Sequence, residues 1–218
     1  MVVTALKVSI YHFILNIRWR FPTIKVLRRG IMQVTYFDIR HPVVAANQGF
    51  FTAGDNWRHK RIYQNEAYEI IIVVSGQLFL QVNKHRFAIT ANEALLVPAH
   101  AIVVSYQKSP RHTQYYWFHF FPHPHSCQVG EYWEGQSVCN GIIPLPAHFT
   151  LPAIKKSFVL ANQVLDIAIN KHYPRIAVDY LLTSWLSWPT TLLNPIHLQV
   201  VTRWVTSRAG FYLTSAVR

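Results

Sequence analysis

A series of short apolar segments between residues 57 and 120 constrains this chain more than any other feature. β-forming residues recur there in brief runs, and turn residues such as Gly76, Asn83 and Pro98 separate one run from the next. Runs of this length and spacing are typical of an antiparallel sandwich or barrel. No stretch of helical period interrupts them, so a small closed β-domain with an interior pocket is expected. Strands are predicted at 68–75, 77–82, 87–90, 94–97, 101–106 and 114–120.

The N-terminal 31 residues differ in composition from the rest of the chain. They carry six Lys and Arg residues and no acidic residue, although the whole chain has a net charge of +12. An amphipathic surface helix, a membrane-associating basic segment and an extension upstream of a start at Met32 all fit this composition. The third interpretation is favoured because the recognisable strand pattern begins just after Met32. The remaining charge is spread out, as on a solvated surface, so neither a phosphate-binding face nor a membrane partner is predicted.

The second half of the chain changes character after the strand series. Residues 127–151 are rich in Gly, Pro and His and are interpreted as a loop. A helix is predicted from residue 154, because apolar residues then recur at spacings of four and three. That apolar stripe either mediates self-association or packs on the β-domain. Further helices are predicted at 176–188 and 196–207. The stripe consists of Ile154, Phe158, Ala161, Leu165 and Ala168.

Motifs for nucleophilic or nucleotide chemistry are missing from the sequence. It contains no Gly-x-Ser-x-Gly, no P-loop and no Gly-x-Gly-x-x-Gly, and only nine acidic residues are available for a carboxylate pair. We therefore predict a protein that is not an enzyme and that uses no cofactor. The two cysteines, Cys127 and Cys139, form no disulfide framework, which favours a reducing cytoplasm.

The last predicted strand concentrates aromatic residues. Period-two alternation places Tyr115, Trp117 and His119 on one face of it. Aromatic rings with polar atoms nearby are what a sugar site uses, since the C–H face of a sugar stacks on Trp or Tyr. The competing interpretation is that these rings are ordinary core residues with one satisfied polar atom each.

Four segments together resemble the N-terminal effector-binding domain of AraC-family transcription regulators. They are Trp-Arg-His-Lys-Arg at 57–61, Tyr-Glu-Ile-Ile-Ile-Val-Val-Ser-Gly at 68–76, Leu-Leu-Val-Pro at 95–98 and Tyr-Trp-Phe-His-Phe at 116–120. The resemblance implies a cupin-like antiparallel β-barrel of the jelly-roll type, followed by a helical linker and dimerisation region. It divides the chain into a basic extension (1–31), an effector-binding domain (32–150), helices (151–193) and the start of a helix-turn-helix domain (194–218).

The resemblance also implies a ligand site. Arg61 stands fifteen residues before Gly76, where the family's arabinose-binding member has a sugar-contacting Arg, and Tyr115 and Trp117 match a contacting pair two residues apart. The predicted ligand-binding residues are Arg61, Tyr115, Trp117, His59, Glu69 and His119.

A metal site is not predicted. The His-x-His of metal-binding cupins is missing, since the segment around residue 59 offers only His59, and the later ligand position is apolar at Ile102 or Val103.

The functional prediction is a ligand-sensing regulatory domain whose effector is a small molecule, a carbohydrate. It would act as a homodimer or as a heterodimer with a full-length relative. Because the chain ends before the first recognition helix of the family, no sequence-specific DNA binding is expected of it. The alternative is a metal-dependent cupin enzyme such as a sugar isomerase.

Overall fold

The computed structural model describes residues 31–133, 136–170 and 172–187. These residues form twelve strands followed by two helices, which confirms the predicted mainly β fold with C-terminal helices. The elements are β1 (Ile31–Asp38), β2 (Val44–Thr52), β3 (Ile62–Tyr63), β4 (Tyr68–Ser75), β5 (Gln77–Val82), β6 (His85–Thr90), β7 (Glu93–Val97), β8 (Ile102–Ser105), β9 (Gln114–Phe121), β10 (Cys127–Trp133), β11 (Ile142–Pro146), β12 (His148–Thr150), α1 (Ile154–Ile169) and α2 (Ile176–Ser187).

Several predictions lie outside the described residues. They are the extension, apart from its last residue, the third helix at 196–207 and the whole region 188–218, which includes the predicted start of a helix-turn-helix domain. In the described part of the chain, no helix combines the length and the hydropathy that crossing a membrane requires.

The strands form three antiparallel sheets. A five-stranded sheet has the order β12-β7-β4-β9-β2, a four-stranded sheet has the order β3-β8-β5-β6, and a three-stranded sheet has the order β10-β1-β11. No hydrogen-bonded strand pair joins one of these sheets to another among the described residues, so the predicted barrel is not closed. The five- and four-stranded sheets instead enclose an interior through side-chain packing, as the two layers of a sandwich do.

The predicted bounds of β4 and β5 are confirmed, and those of the other strands in the series differ by one or two residues. The turns between them explain this accuracy. Gly76, Asn83 and Asn92 have φ angles of 76°, 53° and 72°. Glycine and asparagine tolerate this left-handed conformation better than other residues, so the strand ends are marked locally in the sequence.

The predicted loop at 127–151 is wrong, because it contains β10, β11 and β12. β10 and β11 both pair with β1, about a hundred residues earlier in the chain. Pro144 and Pro146 belong to β11, an edge strand of its sheet, where a residue without a backbone N–H is tolerated. A Gly and Pro content that indicates a loop is therefore also compatible with edge strands. Their partner strand is too distant in the sequence for a local pattern to predict the pairing.

The helices pack against the β-domain. Ser157, Ala161 and Val164 of α1 are buried, and the indole N–H of Trp185 in α2 donates to the Ser157 carbonyl oxygen at 3.0 Å. The side chain of Asp179 in α2 accepts a hydrogen bond of 2.8 Å from the Ala45 backbone N–H in β2. Of the predicted apolar stripe, Ala161 belongs to the core shared with the β-domain, and Phe158, Leu165 and Ala168 pack against that core. Self-association stays a prediction.

Candidate ligand-binding site

The site is built on the inner face of β4 and β9. These neighbouring strands pair Glu69 with His119, Ile71 with Trp117, and Val73 with Tyr115. Directly paired residues of an antiparallel sheet point to the same side, so all four predicted residues on these strands face the four-stranded sheet. The structure therefore brings Glu69, Tyr115, Trp117 and His119 onto one surface.

Glu69 lies at the centre of a small polar group. It is 4% exposed, and its Oε2 accepts a hydrogen bond of 2.6 Å from the side-chain amide of Gln64. Its Oε1 is 3.5 Å from Nε2 of His119, an ion-pair distance that exceeds normal hydrogen-bond length. His119 keeps 25% of its side chain exposed and so connects the buried carboxylate with the cleft outside.

Gln64 is a site residue that the sequence prediction missed. It follows β3 directly, and its backbone N–H donates to the Ala101 carbonyl oxygen at 2.8 Å, which fixes the segment beside Glu69. Its side chain is almost fully buried, with 4% exposure. Nothing in its spacing from neighbouring residues indicates this role, because the contact depends on how the segment between β3 and β4 turns back.

Trp117 is half-buried between its neighbours on this face. Its ring centroid is 5.2 Å from that of His119. The indole lies over Gly49 of the adjacent strand β2, where a Cβ atom would come within 2.7 Å of the ring. Real Cβ contacts are longer than this, so any side chain at Gly49 would displace the tryptophan. The glycine at position 49 of β2 is therefore required for the position of the indole in the site.

Tyr115 is almost as deeply buried as Glu69, with 5% of the residue exposed. Its ring packs on Phe51 and Trp57, with centroids 5.4 and 5.9 Å away. Its hydroxyl makes no hydrogen bond with any described residue. Burial raises the pKa of Tyr115 above the ordinary tyrosine value, and the negative charge of Glu69 raises it further. The hydroxyl is thus a neutral, unpartnered polar group near the Glu69 carboxylate.

The remaining two predicted residues lie on the segment before β3. The His59 backbone N–H donates to Oγ of Ser105 at 2.7 Å, and its ring stands edge-on to Trp57 at 6.0 Å. Arg61 is exposed and has no hydrogen bond or ion pair with the described residues. The structure therefore does not bring His59 and Arg61 into the polar group around Glu69.

An open cleft of about 620 Å³ leads to His119 and Gln64. A volume of this size suits a small-molecule ligand. Within residues 31–133, 136–170 and 172–187, no three His, Cys, Asp or Glu side chains come together as metal ligands. The residues lining the cleft are Tyr63, Gln64, Asn65, Glu66, Ala67, His100, His119 and Phe121.

Comparison with known families identifies the domain. The family model described as the AraC-like ligand binding domain matches residues 49–164, more than half of the chain. The chain belongs to this family. The AraC-like ligand binding domain match includes β4, β9 and therefore all four residues on the inner face described above. It also includes Arg61 and His59.

Solved structures of cupins match this chain only with low TM-scores. An RmlC-like cupin from Shewanella frigidimarina has 15% identity and a TM-score of 0.29, over 45% of this chain and 87% of that one. A cupin from Bacteroides fragilis has 12% identity and a TM-score of 0.29, over 56% and 98%.

A protein from Photorhabdus luminescens has 13% identity and a TM-score of 0.31, over 36% of this chain and 63% of that protein. The matching part thus spans less than two thirds of that protein's length. No curated protein sequence matches the chain.

Proposed function

We propose that this AraC-like domain is the effector sensor of a cytoplasmic transcription regulator and that its effector is a carbohydrate. The observation that carries the proposal is the row of Trp117, His119 and Glu69 on one sheet face, beside an open cleft. The row combines an indole face with an imidazole and a carboxylate. Family membership supports the sensor role, and the chemistry of the row supports the ligand class.

A sugar ring has two kinds of surface, and the site offers a counterpart for each. Its C–H face stacks on an aromatic ring, for which the half-buried indole of Trp117 is available. Its hydroxyls both donate and accept hydrogen bonds. Oε1 of Glu69 can accept from a hydroxyl, and the Tyr115 hydroxyl has no competing partner among the described residues.

Arg61 and His59 are proposed as outer contacts. Arg61 is exposed and forms no ion pair with the described residues, so its guanidinium is available to a ligand that arrives from solvent. A guanidinium presents several donors in a rigid plane, which suits neighbouring hydroxyls. His59 lies two residues earlier on the same segment. Both side chains would contact only an effector that enters from the side of this segment, before β3.

A thermal-shift screen against mono- and disaccharides tests the proposal. A ligand that binds only the native state raises the melting temperature with its concentration, so at least one sugar should do so. Trp117→Ala should abolish the shift, whereas Trp133→Ala should preserve it, because Trp133 is 47% exposed on β10, in a different sheet. If no sugar shifts the native protein, or both variants respond equally, the proposed function is wrong.

We also propose that the helical region 151–193 mediates dimerisation, with a second copy or with a full-length relative. Val159 and Ile169 of α1 are 56% and 80% exposed, so this helix has apolar surface that the β-domain does not cover. Light scattering after size exclusion should show a dimer, and Val159→Lys should shift it toward monomer. A monomer at all concentrations would contradict the homodimer.

A further inference from the structure

The buried carboxylate of Glu69 gives information about the charge of the ligand. A carboxylate removed from water is costly unless a positive or hydrogen-bonding group compensates it. Within the described residues, the donor at hydrogen-bond distance is the neutral amide of Gln64, which contacts only Oε2. Oε1 accepts no hydrogen bond from these residues. Glu69, with 4% of the residue exposed, therefore has one carboxylate oxygen without a hydrogen bond from the described residues.

The charged residues around the cleft do not compensate the negative charge of Glu69. None of the eight residues lining the cleft is Lys or Arg, and Glu66 contributes a carboxylate to its lining, in addition to the buried carboxylate of Glu69 behind Gln64 and His119. Two histidines face the cleft. Nε2 of His119 is 3.5 Å from Oε1 of Glu69, and Nδ1 of His100 is directed toward the Tyr63 hydroxyl at 3.4 Å. The cleft thus has more acidic than permanently basic character, although the whole chain is strongly basic.

Aromatic rings accompany the carboxylates. Trp117 lies next to His119 on the inner face, and Tyr63 and Phe121 line the cleft. The faces of such rings attract cations, and the attraction strengthens where water is excluded. The unpartnered hydroxyl of Tyr115 adds an oxygen that can accept a hydrogen bond near Glu69. Carboxylates, ring faces and a free hydroxyl oxygen are together the components of a site for a protonated amine.

We propose that the effector carries a protonated amine and is a cationic, hydroxylated compound of the amino-sugar class. The ammonium supplies the missing positive charge beside Oε1 of Glu69, and Trp117 contacts the carbon face next to it. Gln64 and His119 contact the hydroxyls. This inference rests on the proposed function, since it assigns a charge to the ligand of the same site.

Matched sugars test the charge directly. The binding of glucosamine, galactosamine and mannosamine to the native protein is measured by titration calorimetry and compared with that of glucose, galactose and mannose. The N-acetylated forms, which keep the nitrogen but lose the charge, are measured as well. At least one amino sugar should bind ten times more tightly than both its neutral parent and its N-acetyl form. The preference should weaken at high salt, as an interaction between charges does.

Two substitutions locate the charge. Glu69→Gln preserves the shape of the side chain and should remove the preference for the amine. The matched variant Glu93→Gln should retain it, because the Glu93 carboxylate on β7 contacts Thr90 and His148 and not the group around Glu69. If neutral sugars bind as tightly as their amino forms, the inference is wrong and the proposed function stands. If no sugar of either kind binds, both are wrong. The comparison on native protein decides the inference even if Glu69→Gln fails to fold.

Discussion

The two faces of β9 differ in what their side chains do. On one face, Phe118 and Phe120 are 1% and 0% exposed and belong to the core that α1 and α2 cover. On the other face, Tyr115, Trp117 and His119 alternate with them and point toward the four-stranded sheet. Both faces are rich in aromatic residues. They differ in their polar atoms and in how those atoms are paired.

The pairing of the polar atoms distinguishes the faces. On the helix-covered face, the Tyr116 hydroxyl donates to Oδ1 of Asn162 in α1 at 3.0 Å, so its polar atom is satisfied inside the protein. On the inner face, the Tyr115 hydroxyl has no partner among the described residues. Nε2 of His119 lies 3.5 Å from Oε1 of Glu69, which is longer than a normal hydrogen bond. A structural face satisfies its own polar groups, whereas the incompletely satisfied inner face is the one to which we propose that the ligand binds.

The largest expected difference between the faces is in stability. Phe118→Ala should lower the free energy of unfolding by about 3–5 kcal/mol, because it leaves a cavity in a fully packed core. Trp117→Ala should cost less than half as much, since its side chain is only half-buried. Urea denaturation of both variants measures this. An equal loss from both would show that the inner face is an ordinary core.

Some of this contrast could be predicted from the sequence. Period-two alternation placed Tyr115, Trp117 and His119 on one face of a strand, and the structure has them there. The bounds of β4 and β5 were also predictable, because Gly76 and Asn83 mark the strand ends locally. These features depend only on neighbouring residues, which is why single-sequence patterns contain them.

Other features could not be predicted, because they depend on contacts between distant segments. β10 and β11 exist through their pairing with β1. Gln64 reaches Glu69 only when the segment between β3 and β4 turns back, and Gly49 matters only because β2 pairs with β9. The sequence shows a lone Gln and a lone Gly at these positions. Their roles appear once the neighbouring strand is known.

The second difference concerns ligand affinity. Trp117→Ala should weaken the binding of whichever sugar shifts the native protein by at least tenfold, because stacking on the indole is lost. Gly49→Ala should act in the same direction through displacement of the ring, with the Trp117 side chain intact. Titration calorimetry measures both. Unchanged affinity in Gly49→Ala would mean that the position of the indole does not matter.

A third difference separates two neighbouring hydroxyls. Tyr116→Phe removes a hydroxyl that is bonded to Asn162 and should cost about 0.5–1.5 kcal/mol in the free energy of unfolding. Tyr115→Phe removes an unpartnered hydroxyl, so stability should change little while ligand affinity falls. Paired denaturation and binding measurements test this. A large stability loss in Tyr115→Phe would reveal a hydrogen bond that the described residues do not make.

The smallest expected difference is in alkaline stability. Burial, and then the charge of Glu69, raise the pKa of Tyr115 above the ordinary value of 10.0. The folded state therefore holds this proton more tightly than the unfolded state, and the associated stability is complete below the unfolded pKa. It is lost as the pH rises from about 10 toward the folded pKa. Tyr115→Phe should make that decline shallower in thermal melts. Burial also raises the pKa values of Tyr68 and Tyr116, and their part of the decline should stay unchanged. An equally steep decline in Tyr115→Phe would mean that Tyr115 is exposed to solvent. The inner face of β9 would then be more open than the helix-covered face.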